Sequence, residues 1–174
     1  MNYLSKIQQA MKTLSDDPRT LFIGQAVRYP GQAMHKTLEL VPIEKRIEMP
    51  VIENFQMGHS IGLALEGYVP VSIFPRIDFL LCAADQLVSH LDKLPLMGGF
   101  RPKVIIRTSV GATRPLNPGP QHCQNYTEAF KSMLKTVEVI ELLSADQVIP
   151  TYEHALHCEH SVLIIEHGQQ YLEA

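Results

Sequence analysis

The sequence predicts a three-layer α/β fold, in which a mostly parallel six-stranded sheet is covered by helices on both faces. Six short apolar segments have the character of strands, and segments with helical periodicity alternate with most of them. Strands joined by helices form parallel sheets, because each helix returns the chain to the edge where the previous strand began. The segments are almost continuously apolar, which is typical of strands buried on both faces.

Two periodicities place the individual elements. Short apolar runs predict strands at TLFIG (20–24), EMPVIE (48–53), YVPVSIFP (68–75), KVIIRTS (103–109), TVEVIEL (136–142) and SVLIIEH (161–167). Apolar residues three or four positions apart predict helices at 3–15, 54–66, 78–94, 125–135 and 144–157. Only the first pair of strands has no predicted helix between its members.

Capping and loop signals mark the ends of these elements. Asp78 is a candidate cap for the long helix that it begins, and Ser144 with Gln147 has the pattern of a capping box. Segment 25–47 lacks periodicity and 110–124 is rich in Pro and Gly, so both are expected to be mostly loop. Ligand sites in parallel α/β sheets lie at the carboxyl ends of the strands, and the second loop falls at that edge.

The chain of 174 residues is expected to form one domain over 1–174, because this length is sufficient for one buried core. Its hydrophobic fraction of 45% and charged fraction of 19% are ordinary for a globular protein. A net charge of −3 provides no basic surface for a polyanion. We therefore expect no nucleic acid partner.

The cysteines and the N-terminal segment bear on the compartment. Cys82, Cys123 and Cys158 are odd in number and far apart, which favours a reducing environment over a disulfide framework. The N-terminal segment lacks the apolar core of a signal peptide, and no stretch approaches the roughly 18 apolar residues that cross a bilayer. These features predict a cytoplasmic protein without membrane contact.

A carboxylate at a strand-to-helix junction is the first candidate site residue. Glu53 ends the second predicted strand, and a helix follows it directly. The helix dipole stabilises an acid there by about 0.3–1 kcal/mol, so the position also fits an exposed surface residue. The helix contains Gly58 and Gly62, each of which costs about 1 kcal/mol relative to alanine. These glycines indicate a face that another backbone approaches closely, from either the sheet or a second subunit.

A histidine in the proline-rich loop is the second candidate. His122 lies at the carboxyl edge of the predicted sheet, where it could donate a proton or a hydrogen bond near neutral pH. A surface histidine fits the same pattern. Cys123 beside it could be a nucleophile, but the sequence assigns it no base.

The segment HALHCEH (154–160) combines imidazole and thiol groups, which are the ligands that zinc prefers. Its spacing matches no standard zinc framework, and no second ligand pair stands elsewhere, so the sequence favours a polar helix end and no metal site. The chain also lacks GxGxxG, GxxxxGK[ST] and GxSxG motifs. It therefore carries no recognisable phosphate cradle.

Five segments together resemble a known family: FIGQAV, PVIENFQMGHSIGLALEG, DFLLCAADQLV, MGGFRPKVIIR and QHCQ. Their order and spacing are similar to those of the pyrimidine-binding domain of transketolase-like thiamine diphosphate enzymes. The chain looks most like the N-terminal half of the β subunit of 2-oxo acid dehydrogenases, over about residues 4–166. On this resemblance, we expect the β subunit's C-terminal domain to be absent.

The resemblance implies roles for individual residues. Glu53 matches the glutamate that binds the aminopyrimidine ring of thiamine diphosphate, and Phe79 matches an aromatic residue that stacks on that ring. His122 matches the histidine that contacts substrate. Gly58 and Gly62 lie on a helix that packs at a subunit interface in the family.

The resemblance also implies partners and an activity. It implies action on a 2-oxo acid, with the diphosphate and Mg²⁺ held by an α-type partner subunit in a homodimer or heterotetramer. Gln25 and Ala26 stand where the family often has an acidic pair, which leaves acyl transfer and the substrate open. A transketolase-like or carbon–carbon ligase half-enzyme, or a catalytically silent interaction subunit, are the alternatives.

Overall fold

Six strands form one sheet that is parallel throughout, with the order β2-β1-β3-β4-β6-β5. This computed structural model describes residues 2–31 and 33–172, so both ends of the expected domain lie outside the described residues. The strands are β1 (Thr20–Gly24), β2 (Arg46–Glu48), β3 (Val69–Phe74), β4 (Ile105–Val110), β5 (Glu138–Glu141) and β6 (Val162–His167). The predicted six-stranded α/β sheet is confirmed.

Helices connect most of these strands. They are α1 (Tyr3–Asp16), α2 (Glu53–Leu65), α3 (Ile77–Leu80), α4 (Leu94–Gly98), α5 (Thr127–Met133) and α6 (Ala145–His157). The chain also contains 3-10 turns at Ala33–Leu38, Ile43–Lys45, Leu81–Ala83 and Gly168–Leu172, and a π-helical segment at Asp85–Leu91.

Alternate residues of the strands face two separate cores, which makes the fold three-layered as predicted. Ile105 and Ile164 pack in the core that α1 and α6 cover. Ile106 and Leu163, one position away on the same strands, pack in the core that α2, α3 and α5 cover. Side chains alternate across a strand, so both faces of the sheet need a helical layer.

The second predicted strand was placed too far along the chain. β2 ends at Glu48, whereas EMPVIE was expected to be extended to Glu53. The last backbone hydrogen bond between this segment and β1 is donated by the Met49 N–H to the Gly24 carbonyl, at 2.9 Å. Pro50, the next residue, has no N–H with which to continue the ladder. Glu53 is consequently the first residue of α2 and not the last residue of a strand.

The long helix expected at 78–94 is a succession of helix types, and its predicted cap was wrong. The helix begins at Ile77 with Arg76 as the N-cap residue, so Asp78 lies inside the first turn. The Asp78 carboxylate instead accepts a long hydrogen bond of 3.3 Å from the Gln124 backbone N–H. By contrast, the capping box of Ser144 and Gln147 is confirmed.

Residues 33–47 contain more regular structure than the sequence indicated, and a buried arginine binds carbonyl groups in and before this segment. The Arg46 guanidinium donates hydrogen bonds to the carbonyls of Val27, Leu38 and Val41. These bonds reach from 5 to 19 residues back along the chain, beyond the span of a single helical or β-turn. A local pattern therefore could not predict the turns that they stabilise.

One ion pair lies wholly inside the core that α1 and α6 cover. Arg107 Nε is 2.7 Å from one Glu166 oxygen, and Nη2 is 3.0 Å from the other. The hydroxyls of Tyr152 and Tyr171 also donate to this carboxylate, and Thr37 accepts from Arg107. Burial raises the pKa of both tyrosines well above its ordinary value, so they remain neutral donors.

Among the described residues, no helix is both long enough and apolar enough to cross a membrane.

Candidate active site

A cavity of about 490 Å³ opens at the carboxyl edge of the sheet. Its walls come from residues that directly follow strands, including Gln25 after β1, Pro75 after β3 and Gly111 after β4. In the sheet, β1 lies between β2 and β3. The chain therefore continues from β1 to β2 on one side and then crosses to β3 on the other side, which makes the β1–β3 edge a topological switch point. Ligands of open α/β sheets bind at such a switch point.

Two of the predicted site residues meet in this cavity. The rings of Phe79 and His122 are 5.5 Å apart between centroids and meet edge to face at 70°. Arg76 donates a hydrogen bond of 2.9 Å to the His122 carbonyl, which ties the loop 111–124 to the start of α3. His122 Nδ1 is buried and has no hydrogen-bond partner among the described residues. This nitrogen is available to a ligand.

The His122 loop passes so close to the end of β4 that only glycine fits at position 111. A Cβ at Gly111 would overlap the His122 carbonyl oxygen and would lie 2.9 Å from Arg76 Nη1. Backbone cannot yield as a flexible side chain does. Gly111 therefore sets the distance between the loop and the sheet.

We expect Gly111→Ala to lower the free energy of unfolding by about 1–3 kcal/mol through overpacking, and to displace the His122 ring. Urea titration measures the first effect, and the NMR signals of the His122 ring report the second. Gly98→Ala is the matched control, because a Cβ at Gly98 meets nothing within 4 Å. Equal behaviour of the two variants would contradict this account of the loop.

Glu53 is not among the residues that line the cavity. Its half-buried carboxylate has neither a hydrogen bond nor an ion pair with any described residue. One turn further on, the buried Gln56 side chain donates to the Ile73 carbonyl at 3.0 Å and to Ser72 Oγ at 3.1 Å. These bonds fix the start of α2 against β3. Glu53 is therefore an unpaired acid on a firmly anchored helix end.

The loop after β1, where the family often has an acidic pair, is held by an acid from β2. The Glu48 carboxylate accepts hydrogen bonds from the backbone N–H groups of Ala26, Val27 and Arg28, at 2.5–2.9 Å. Ala26 has a φ of 52°, which is uncommon for a residue other than glycine. Gln25 and Ala26 both line the cavity. The departure from the family pattern thus lies on the wall of the candidate site.

Arg76 is a site residue that the sequence analysis missed. It lines the cavity, is half-buried and forms no ion pair with any acidic residue that the structure describes. The signal was a lone arginine in FPRIDF, directly after a buried strand. An unpaired guanidinium in a cavity is suited to bind a carboxylate or phosphate.

No backbone of the described residues closely approaches the α2 glycines, contrary to one of the two predicted explanations. A Cβ at Gly58 would meet only the flexible side chain of Gln86, at 3.3 Å, and a Cβ at Gly62 would meet nothing within 4 Å. Gly62 is exposed, as are Phe55 (57%) and Leu65 (58%) on the same helix. The sheet beneath α2 is thereby excluded as the reason for the glycines.

Cys123 gains no support as a nucleophile. Its thiol donates a long hydrogen bond of 3.9 Å to the Ala112 carbonyl, and it forms no hydrogen bond with an imidazole or carboxylate of the described residues. A catalytic cysteine requires an adjacent base or a lowered thiol pKa.

Sequence comparison identifies β subunits of 2-oxo acid dehydrogenases as relatives, although no protein-family model matches the chain. A pyruvate dehydrogenase E1 component subunit beta from Staurastrum punctulatum is 28% identical over 158 residues, covering 87% of this chain and 47% of the relative. A 3-methyl-2-oxobutanoate dehydrogenase subunit beta from Mycobacterium tuberculosis is 26% identical over 181 residues, covering 97% and 50%. The chain is homologous to 2-oxo acid dehydrogenase β subunits. It spans about half the length of these relatives.

Comparison with solved structures identifies the fold. A split-gene transketolase, solved as an inactive β4 tetramer, superposes with a TM-score of 0.73 at 17% sequence identity. The match covers 95% of this chain and 50% of the transketolase chain. The predicted transketolase-like fold is confirmed.

Proposed function

We propose that this chain is the pyrimidine-binding subunit of a split thiamine diphosphate enzyme that acts on a 2-oxo acid, and that it is active only with a diphosphate-binding partner. The observation that carries the proposal is the pairing of Phe79 with His122 on the cavity at the β1–β3 switch point. The resemblance assigned Phe79 to the site, the loop position and the resemblance assigned His122, and the two rings are in contact. The homology to 2-oxo acid dehydrogenase β subunits supports the same reading.

The residues present fit thiamine diphosphate. Phe79 offers an aromatic ring to the pyrimidine. The buried Nδ1 of His122 has no hydrogen-bond partner among the described residues, and a bound ligand would supply one. Glu53 offers a carboxylate that no described residue engages. When bound, the cofactor supplies an electron sink for cleavage of a bond next to a carbonyl.

Each polar residue then has a distinct task. Glu53 would favour a proton on the pyrimidine nitrogen of the bound cofactor, because an unpaired carboxylate favours the protonated form of a neighbouring base. His122 donates a hydrogen bond to the substrate oxygen. Arg76 pairs with the substrate carboxylate, since it is the cavity arginine without an acidic neighbour among the described residues.

The diphosphate and its Mg²⁺ are assigned to the partner. The sequence contains no glycine-rich phosphate motif, so the site is complete only when an α-type subunit supplies one. The exposed face of α2 around Gly58 and Gly62 is the proposed contact. Val51 and Phe55 leave apolar surface beside Glu53, and a partner docked there would cover the acid and the cofactor together.

The finer assignments follow from this scheme. We place the assembly, a homodimer or a heterotetramer, in the cytoplasm. The second candidate is a transketolase-like or carbon–carbon ligase activity. It is favoured by Gln25 and Ala26 in the cavity wall, which stand where the dehydrogenases often have an acidic pair. A silent interaction subunit is disfavoured, since it has no need of an unpaired Glu53.

Calorimetric titration tests the split site. Thiamine diphosphate with Mg²⁺ should give no micromolar binding to this chain alone, and should bind once the α-type subunit of the same organism is added. Micromolar, Mg²⁺-dependent binding by the isolated chain would contradict the proposal, because the chain would then hold the diphosphate itself.

The same titration locates the interface. Gly62→Leu leaves folding unchanged because the space around Gly62 is open, but it should weaken assembly about 5–150-fold if a second chain packs there. Ser132→Leu, on the exposed face of α5, is the control and should assemble normally. Full assembly of Gly62→Leu would exclude this face.

A further inference from the structure

Three potential metal ligands converge at the opposite edge of the sheet from the cavity. The ligand atoms of His154, Cys158 and His160 all lie within 4.8 Å of one another. Imidazole nitrogen and thiolate sulfur are the ligands that structural zinc sites use. The sequence favoured a polar helix end here, because the spacing is unusual and no further ligand was apparent.

The folded chain supplies the further ligand from a different element. Glu138, the first residue of β5, places one carboxylate oxygen 2.7 Å from His154 Nε2 and 2.8 Å from His160 Nε2. Both imidazole rings thus already point at one oxygen atom. Glu138 precedes the helix by several residues and belongs to a separate strand, so ligand spacing within HALHCEH could not identify it.

The local backbone explains why the three residues of the segment meet. His154 lies on the last turn of α6, and Cys158 is the C-cap residue, whose N–H donates to the His154 carbonyl at 2.8 Å. His160 follows in the turn that leads into β6. The end of the helix and the start of the strand are therefore held side by side.

We propose that His154, Cys158, His160 and Glu138 bind one zinc ion. Zinc bonds of about 2.0–2.3 Å place tetrahedral ligands roughly 3.3–3.8 Å apart. The ligand atoms of His154, Cys158 and His160 lie within 4.8 Å of one another. The Glu138 carboxylate, which contacts both imidazoles, turns toward the thiol to complete the site. The ion takes the place of the hydrogen bonds from the imidazoles to Glu138. Binding releases the thiol proton to solvent.

Two of the four ligands supply the negative charge that a divalent cation requires. The Cys158 thiolate and the Glu138 carboxylate together neutralise the ion, and both histidines bind in the neutral form. Lys103 Nζ lies 3.2 Å from Cys158 Sγ and also donates to the Cys158 carbonyl. It serves as a hydrogen-bond donor to the bound sulfur, as groups around metal ligands commonly do.

The site is structural. Four protein ligands leave no open position for substrate, and β6 separates this edge from the cavity by roughly 20 Å at about 3.3 Å per residue. The ion joins the end of α6 to the starts of β5 and β6. It acts independently of the proposed function and of any partner.

The experiment is a zinc titration of the metal-depleted full chain in competition with a colorimetric chelator. One zinc ion per chain is expected. Cys158→Ser and His160→Ala should each weaken zinc binding by more than about 10–100-fold. Losses of that size are typical when a residue that only hydrogen-bonds to a metal ligand is removed, and removal of a ligand itself should cost more. His157→Ala and Cys82→Ser are the matched controls, because both residues are exposed and lie outside the cluster.

The outcomes separate a built site from adventitious binding. Failure of the chain to bind stoichiometric zinc, or equal weakening in the His157→Ala control, overturns the proposal. Cobalt substitution of the unmodified chain tests it without any variant that could misfold. A sulfur-to-cobalt charge-transfer band supports Cys158 as a ligand, and its absence contradicts the site.

Discussion

Replacement of Glu53 by glutamine is expected to lower turnover of the assembled enzyme by about 10²–10⁴-fold, the usual effect of losing a proton-transfer group. Glutamine keeps the shape and can still form a hydrogen bond, but it has no charge to favour a protonated pyrimidine nitrogen. Because the Glu53 carboxylate makes no hydrogen bond with any described residue, the free energy of unfolding should fall by no more than the roughly 0.3–1 kcal/mol of the helix dipole. Steady-state kinetics with the partner subunit measures the loss.

The control for this variant lies at the other end of the same helix. Glu66→Gln removes an equal charge from the exposed C-cap residue of α2 and should leave turnover unchanged. Assembly of Glu53→Gln with the partner should match that of the unmodified chain. Undiminished turnover of Glu53→Gln would favour the silent interaction subunit.

Arg107→Met is expected to lower the free energy of unfolding by about 3–5 kcal/mol, the largest effect on stability that the structure predicts. Burial alone would lower the pKa of the Arg107 guanidinium, but the adjacent Glu166 carboxylate raises this pKa above its ordinary value, so Arg107 carries its charge inside the core. Removing the arginine leaves a buried carboxylate with its charge uncompensated. Denaturant unfolding measures the loss.

Two further variants distinguish the ion pair from general packing. Changing Lys131, whose pair with Glu128 is exposed on α5, should cost no more than about 1 kcal/mol. Arg107→Met combined with Glu166→Leu should recover much of the stability, because no unpaired charge then remains. A loss below 1 kcal/mol for Arg107→Met alone would contradict the assignment.

The sequence was sufficient for the fold because its signals were local and repeated. Apolar runs marked the strands, and the capping box at Ser144 placed the start of α6. The errors occurred where backbone hydrogen bonding decides. Pro50 ended β2 early, and Arg76 rather than Asp78 occupies the N-cap position of α3.

The site was predictable only in part. The resemblance assigned Phe79 and His122, and the fold then placed their rings in contact. Arg76 and Gly111 escaped notice because their roles depend on the approach of the loop after β4 to the start of α3. Glu138 likewise joins the histidine cluster only through the pairing of β5 with β6. Contacts between distant segments leave no local pattern.

The central claim is that Glu53 governs the proton of the pyrimidine, and one measurement tests it most directly. The assembled complex with thiamine diphosphate is transferred to deuterated water, and NMR follows exchange of the thiazolium C2 proton in the unmodified, Glu53→Gln and His122→Ala forms. The account predicts slow exchange only in Glu53→Gln, because His122 acts later, on the substrate. Equally fast exchange in Glu53→Gln and the unmodified complex would contradict it.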